Sequence, residues 1–196
     1  MGADLEALRA VIVDAFPSSR GEIAFGELTI HATPEIVHDL LAWARDDERV
    51  RCELLADLSG VHWPAGDNEI ERQPATTGWP AYRLERDRGV IEVNYILRSL
   101  THNHAFRVSV AVPDDAPRLP TATDLWLTAN FHEREVYDFF GVEFTGHPNL
   151  TRILMPDDWV GHPHRKDYPL GGVDIPYDND KFIPSPDTRG LRQVVD

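Results

Sequence analysis

The hydrophobic positions of the chain change period along its length. From Asp4 to Ala15, Leu5, Leu8 and Ile12 recur at helical spacing, and Pro17-Ser18-Ser19-Arg20-Gly21 ends that helix. Ile23 to His31 reads as extended. Its apolar parity switches at Gly26, with Ile23 and Phe25 before it and Leu28 and Ile30 after, so a bulge or a tight turn is expected there. Thr33-Pro34 predicts a helix start, Thr33 as N-cap and Pro34 at the first helical position. Ile36, Val37, Leu40, Leu41 and Ala44 form its buried stripe. Val50 to Val61 is the next strand, and Trp63 to Trp79, rich in Pro, Gly and charge, is a loop. Ile91, Val93, Tyr95 and Leu97 alternate within Val90 to Arg98. Phe106, Val108, Val110 and Val112 alternate after a turn at Thr101-His102-Asn103-His104, so the two runs predict an antiparallel hairpin. Pro113 to Pro120 is a loop. Thr121 with Asp124 three residues on resembles an N-cap, and helical pattern runs from there to Phe140, in one piece or two, with Gly141 as C-cap. Helix, strand, helix, three strands, helix is the order of an α+β domain, a small mixed or antiparallel sheet packed with helices.

Beyond Gly141 the periodicity dissolves. Pro148, Pro156, Pro163, Pro169, Pro176, Pro184 and Pro186 forbid a long helix. Phe144, Leu150, Ile153, Leu154, Trp159, Tyr168, Tyr177 and Phe182 are apolar anchors that a solvated linker would lack. The expectation is a core domain over 1–145 and an extended proline-rich arm over 146–196, lying across its own domain or a neighbour. Gly171-Gly172 reads as a hinge.

Charge narrows the function classes. The 196 residues include 19 Lys and Arg against 33 Asp and Glu, a formal net charge of -14. Such a surface repels nucleic acid and anionic lipid at long range, and no basic stripe offsets it. Hydrophobic residues make up 42%, enough for a core. One cysteine, Cys52, excludes an internal disulfide and suits a reducing compartment; it also falls short of the four thiolates an iron–sulfur cluster takes. No apolar run reaches the roughly 20 residues of a membrane helix, and Met1-Gly-Ala-Asp-Leu-Glu6 lacks the basic start of a signal peptide. A cytoplasmic chain, associated with membrane only through partners, is expected. Neither a G-x-G-x-x-G nor a P-loop is present.

The densest chemistry lies in Glu133-Arg134-Glu135-Val-Tyr-Asp138-Phe-Phe-Gly141, then Gly146-His147-Pro148, then His164-Arg165-Lys166-Asp167-Tyr168-Pro169. Three readings compete. His132, Glu135, Asp138, His147, His162 and His164 are candidate metal ligands, yet H-E-x-x-H is absent and Arg134 among the acids weakens a cation site. Helical spacing puts Glu135 and Asp138 on one face with Arg134, which suits a solvated face whose exposed pairs contribute roughly 0–1 kcal/mol. The third reading is a docking surface, in which these charges pair with one another and with a partner. Arg165 and Lys166 then meet the helix acids, with Trp159 and Tyr168 as anchors. Cys52 reads as a core residue and His102 and His104 as exposed turn residues.

The same residues resemble a known family. Glu133, Arg134, Glu135, Asp138, Phe139, Phe140, Gly141, Gly146, His147 and Pro148 match the signature of the 30 kDa subunit family of respiratory NADH:quinone oxidoreductase (bacterial complex I). So do Leu154, Pro156, Asp158, Trp159, Gly161, Pro163, Arg165, Lys166, Asp167, Tyr168 and Pro169. Tyr95-Ile-Leu97-Arg98-Ser99 and Gly60-Val-His-Trp-Pro64 extend the resemblance to about Val50 to Leu170. Thr151, Phe131, His62 and His164 depart from the family's usual basic residue, Trp, Asp and Leu. The resemblance implies a non-catalytic subunit of the peripheral arm with no cofactor of its own, on the cytoplasmic side of the cell membrane. It packs against the quinone-site subunit and the iron–sulfur subunits. The parent complex carries electrons from NADH through FMN and iron–sulfur clusters to quinone, coupled to proton translocation. Glu133, Arg134, Glu135, Asp138, His147, Arg152, Trp159, Arg165, Lys166, Asp167 and Tyr168 become candidate interface residues. The alternatives are the equivalent subunit of a membrane-bound hydrogenase or other-donor quinone oxidoreductase, and a metallo-hydrolase built on His132, Glu135, Asp138 and His147.

Overall fold

In the computed structural model, residues 4–69 and 83–169 are described. Most of the predicted 63–79 loop, Gly171-Gly172, Tyr177 and Phe182 lie outside them. The elements are α1 (Leu5–Ala15), β1 (Arg20–Ala24), β2 (Glu27–Ala32), α2 (Val37–Asp46), β3 (Leu54–Trp63), β4 (Gly66–Glu69), β5 (Arg83–Arg86), β6 (Val90–Ser99), β7 (His104–Pro113), β8 (Arg118–Pro120), α3 (Ala129–Phe140) and β9 (Glu143–Thr145). The domain is α+β.

The predicted hairpin is the centre of the sheet. β6 and β7 pair antiparallel from Val90↔Pro113 to Ser99↔His104. β3 joins the far side of β6 antiparallel, β2 joins β7 in parallel, and β1 closes that edge, for an order β1-β2-β7-β6-β3. Ile91, Val93, Tyr95 and Leu97 are fully buried on one face, with Val108, Val110 and Val112 beside them. That face and the apolar stripes of the three helices, Leu8 and Ile12, then Val37, Leu40, Leu41 and Ala44, then Ala129, Val136 and Phe140, form one core. Burial of the Cys52 thiol in it pushes its pKa up to about 12, so it stays protonated and inert.

Several boundaries differ from the pattern, each for a physical reason. The parity switch at Gly26 is a two-residue hairpin turn: Phe25 has φ 56° and Gly26 φ 80°, the positive pair that matches strand twist in such turns. Asp4 caps α1 as its carboxylate accepts from the Glu6 and Ala7 amides. Thr33 is not the N-cap of α2. Its carbonyl accepts from the Ile36 and Val37 amides in a preceding turn, and regular helix starts at Val37. β3 begins at Leu54 and not at Val50, because Arg51 is left-handed (φ 44°) and the Cys52 amide bonds Ala44 O at the end of α2. β4, β5, β8 and β9, of three or four residues each, are too short to show a period. His104 is buried at the start of β7, its ring stacked on exposed His102 with centroids 5.9 Å apart, so only His102 stands on an exposed turn.

The helix expected from Thr121 begins at Ala129. Thr121 to Thr128 forms turns because Thr121 and Ala122 are tied to a helix side chain instead of to a preceding helical turn. The Thr121 hydroxyl donates to Glu133 Oε2 and the Ala122 amide to Glu133 Oε1, each at 2.6 Å. Glu133 is completely buried, and so is Asp138 on the same helix. These two carboxylates hold the 121–122 and 152–155 segments against α3.

Candidate functional site

The site is assembled around the C-terminal half of α3. Residues 146–169 do not extend away; they turn back over the helix. Arg134 donates from Nε to Thr151 O at 3.0 Å and from Nη2 to Arg152 O at 3.1 Å and to the Thr151 hydroxyl. One turn later, Asp138 Oδ2 accepts three consecutive amides, Ile153 at 3.0 Å, Leu154 at 2.8 Å and Met155 at 2.9 Å. Asp138 Oδ1 takes Arg152 Nη1 at 2.7 Å. Arg152 also donates to Asp138 O and to Gly161 O, which fastens the next bend. Burial raises the Asp138 pKa, but the Met155, Leu154 and Ile153 amides and the Arg152 guanidinium outweigh it and hold the carboxyl at about 2.

The helix stops at Gly141 in the left-handed conformation (φ 80°), and the His162 ring lies against it. A Cβ there would stand 2.7 Å from His162 Cδ2 and Nε2, while His162 Nδ1 bonds Asp138 O at 3.0 Å. Gly141→Ala is therefore expected to lower stability by about 1–3 kcal/mol, from left-handed backbone strain plus displacement of His162. Chemical denaturation of the variant beside wild type measures this. His164 follows, its ring stacked on Phe139 at 3.8 Å and its amide bonded to Phe139 O.

A second fastening joins the arm to the sheet. Buried His62 on β3 accepts the Lys166 amide at Nδ1 (2.8 Å), so the ring proton is assigned to Nε2, which donates to Asp114 Oδ2 at 3.1 Å. Arg165 bonds Asp114 O at 2.9 Å and grips Asp167 through two bonds of 3.1 Å. The Arg165 pair lowers the Asp167 pKa. His62, Asp114 and Asp167 are the grouped metal-type donors among the described residues. The Arg165 guanidinium between the two acids and the amide on Nδ1 make the group a hydrogen-bonded lock.

The placements revise the expectations. Glu133 and Asp138 do not face a partner: both are buried and bonded within the chain. Glu135 and Asp138 do not share a surface; Glu135 is exposed and Asp138 is not. Arg165 pairs with Asp114 and Asp167, not with the acids of α3. Arg134 and Arg152 hold the arm. His147 bonds Asn130 O through Nε2 and accepts the Asn149 amide. Tyr168 donates to Val160 O and packs against Gly161, while the Lys166 side chain is exposed and Trp159 is half-buried. The metallo-hydrolase set fails on geometry. His132 approaches Asp57 at 3.8 Å, His147 is bonded elsewhere, Asp138 is saturated by amides and arginine, and the four are not brought together. His62 and Asp114 are the residues the sequence did not flag as partners; no local pattern links positions 52 residues apart.

The family model for the respiratory-chain NADH dehydrogenase 30 kDa subunit matches residues 30–174, from β2 through the whole clamp. The NADH-quinone oxidoreductase C subunit of Acidothermus cellulolyticus is 46% identical over 170 residues, covering 87% of this chain and 78% of that protein. The protein of the same name from a Nocardioides species is 45% identical over 164 residues, 84% of this chain and 57% of its own length. The solved trypsin-resistant fragment (1–134) of Nqo5 superposes with a TM-score of 0.53 at 34% identity, over 74% of this chain and 98% of the fragment. A chain of an archaeal membrane-bound sulfane sulfur reductase shares the fold, with a TM-score of 0.58 at 22% identity over 93% of this chain and 96% of that one. With the match running from β2 through β3, β6, β7 and α3 to the clamped arm, this chain belongs to the respiratory-chain NADH dehydrogenase 30 kDa subunit family.

Proposed function

We propose that this chain is a non-catalytic subunit of the peripheral arm of an NADH-quinone oxidoreductase. It packs against the quinone-site subunit and the iron–sulfur subunits on the cytoplasmic side of the membrane. The observation that carries the reading is the clamp: Arg134, Asp138, Arg152 and Arg165 of the signature region are committed to fixing the chain's own backbone. Asp138 is saturated by three amides and Arg152, which leaves it no part in proton transfer to a substrate, and Arg134 is bonded to the Thr151 and Arg152 carbonyls. Such a device makes a rigid surface, and a rigid surface binds partners with less ordering cost. FMN and iron–sulfur clusters then reside on partner subunits, and this chain's contribution to electron transfer is positional. No helix among the described residues is long and apolar enough to cross a membrane, which fits attachment through partners.

Affinity purification through a tag on this chain tests the proposal. NADH:quinone oxidoreductase activity and iron–sulfur subunits are expected to co-purify. Recovery of the chain alone from cells that make the complex would overturn it.

A further inference from the structure

The His62 lock differs from the Asp138 clamp in one chemical respect: its central group is an imidazole. That side chain ordinarily gains its proton between about pH 8 and about pH 5. In the neutral ring, Nε2–H donates to Asp114 Oδ2 at 3.1 Å and Nδ1 accepts the Lys166 amide at 2.8 Å. Of the two nitrogens, Nδ1 is therefore the one left to take a second proton, and it is the one that holds the arm. Once it is protonated, Nδ1–H and the Lys166 N–H face each other as two donors, and their bond is lost.

The surroundings supply a second acceptor for that proton. The His62 side chain is buried between two acids, Asp114 at Nε2 and Asp167, whose Oδ1 lies 3.8 Å from Nδ1. Arg165 opposes them in charge, with Nη2 3.9 Å from Asp114 and 3.1 Å from Asp167. The exposed Lys166 side chain is the other cation of the segment. On β6, the residue in register with His62 is the uncharged Ile91. His62 also lines a cavity of about 460 Å³ with Phe140, His164 and Tyr168; His164 is the further titratable group there, and its ring is stacked on Phe139. Asp167 is held below its ordinary pKa, chiefly by Arg165 and in part by His62, so it is charged when the ring gains its proton. We infer that His62 is a proton-operated catch: neutral, it fastens the Lys166 amide to β3; protonated, it releases that amide and turns Nδ1–H to the Asp167 carboxylate. The amides on Asp138 are outside this exchange, so 153–155 stays fastened while 165–167 loosens. The catch does not depend on the proposed subunit role.

The test is NMR of the full chain over that pH range, reading the His62 ring nitrogens and backbone amide exchange together. Protonation at His62 Nδ1 is expected to coincide with a fall of about tenfold in Lys166 amide protection, after correction for intrinsic exchange, the scale of one net hydrogen bond. The Ile153, Leu154 and Met155 amides should keep their protection. In His62→Asn an oxygen can still accept the Lys166 amide but does not titrate, so the fall should disappear. Asp167→Asn alters a half-exposed side chain and leaves the ring in place. It should move the His62 midpoint to lower pH, because a neutral amide no longer favours the imidazolium. Four results would each overturn the catch: a His62 ring that stays in one state throughout, constant Lys166 protection as it titrates, an equal fall in His62→Asn, or a parallel fall at 153–155. An unmoved midpoint in Asp167→Asn would remove Asp167 as the second acceptor, and with it the exchange.

Discussion

Asp138→Ala is expected to lower stability by about 3–5 kcal/mol, a fall of roughly 10 °C in Tm for a chain of this size. The side chain is fully buried, and its removal orphans three backbone amides and leaves Arg152, whose side chain is only 14% exposed, without its counter-ion. Asp138→Asn is expected to fall between. Its single oxygen can keep the amides, but its NH2 group would oppose Arg152, donor against donor. The loss should be local first, because these bonds hold residues 151–155 and not the sheet. Limited trypsinolysis is therefore the sharper measurement: cleavage after Arg152, Arg165 and Lys166 should appear in Asp138→Ala under conditions where wild type is intact. Unchanged cleavage would show that the arm is held by something other than this carboxylate. The pH dependence has a definite sign. The folded pKa of about 2 lies below the ordinary value of 3.8, so the stabilisation is present above pH 4 and is lost as pH falls toward 2.

Glu133 should show the opposite dependence. Burial raises its pKa to about 7 from 4.5, despite the bonds from Thr121 and Ala122 that favour the anion, and Asp124 adds to the rise while His38 opposes it. A carboxyl whose folded pKa is raised contributes stability that is fully present below pH 4.5 and is lost as pH rises through 7. From this group alone the domain is expected to be less stable at pH 8 than at pH 4.5 by about 3 kcal/mol. Glu133→Gln should flatten that slope, since an amide oxygen can still accept the Ala122 amide and an amide NH2 can donate to the Thr121 hydroxyl. Glu133→Ala should instead cost about 2–4 kcal/mol at pH 4.5, by orphaning Ala122 N–H and opening a void under the 121–128 turns, and less at pH 8, where wild type has lost the contribution of the neutral carboxyl. Thermal melts of the three proteins from pH 4.5 to 8 separate these outcomes. Parallel curves for wild type and Glu133→Gln would mean that Glu133 titrates normally.

The two acids show where reading the chain residue by residue stops. Period alone was enough to place the β6–β7 hairpin and the buried stripe of α2, because those residues are chosen by a single requirement, removal from water. Gly141 as a helix stop was equally legible, because a left-handed C-cap is a local demand. Glu133 and Asp138 were not. Charged residues on a helix are ordinarily solvated, and only the arrival of Ala122 from one side and the 152–155 backbone from the other offsets the loss of water. The His62–Asp114 pair is wholly non-local.

What the amino-acid sequence determined by itself is the α+β class, the core stripes and the family. Each is carried by periodicity or by particular residues at particular spacing. Only the tertiary structure decided what the charges of the signature region do. A hydrogen bond needs two partners at one place, and the folded backbone is what brings amides, arginines and carboxylates together. It turned Glu133, Asp138, Arg134, Arg152 and Arg165 into fastenings of the chain's own backbone.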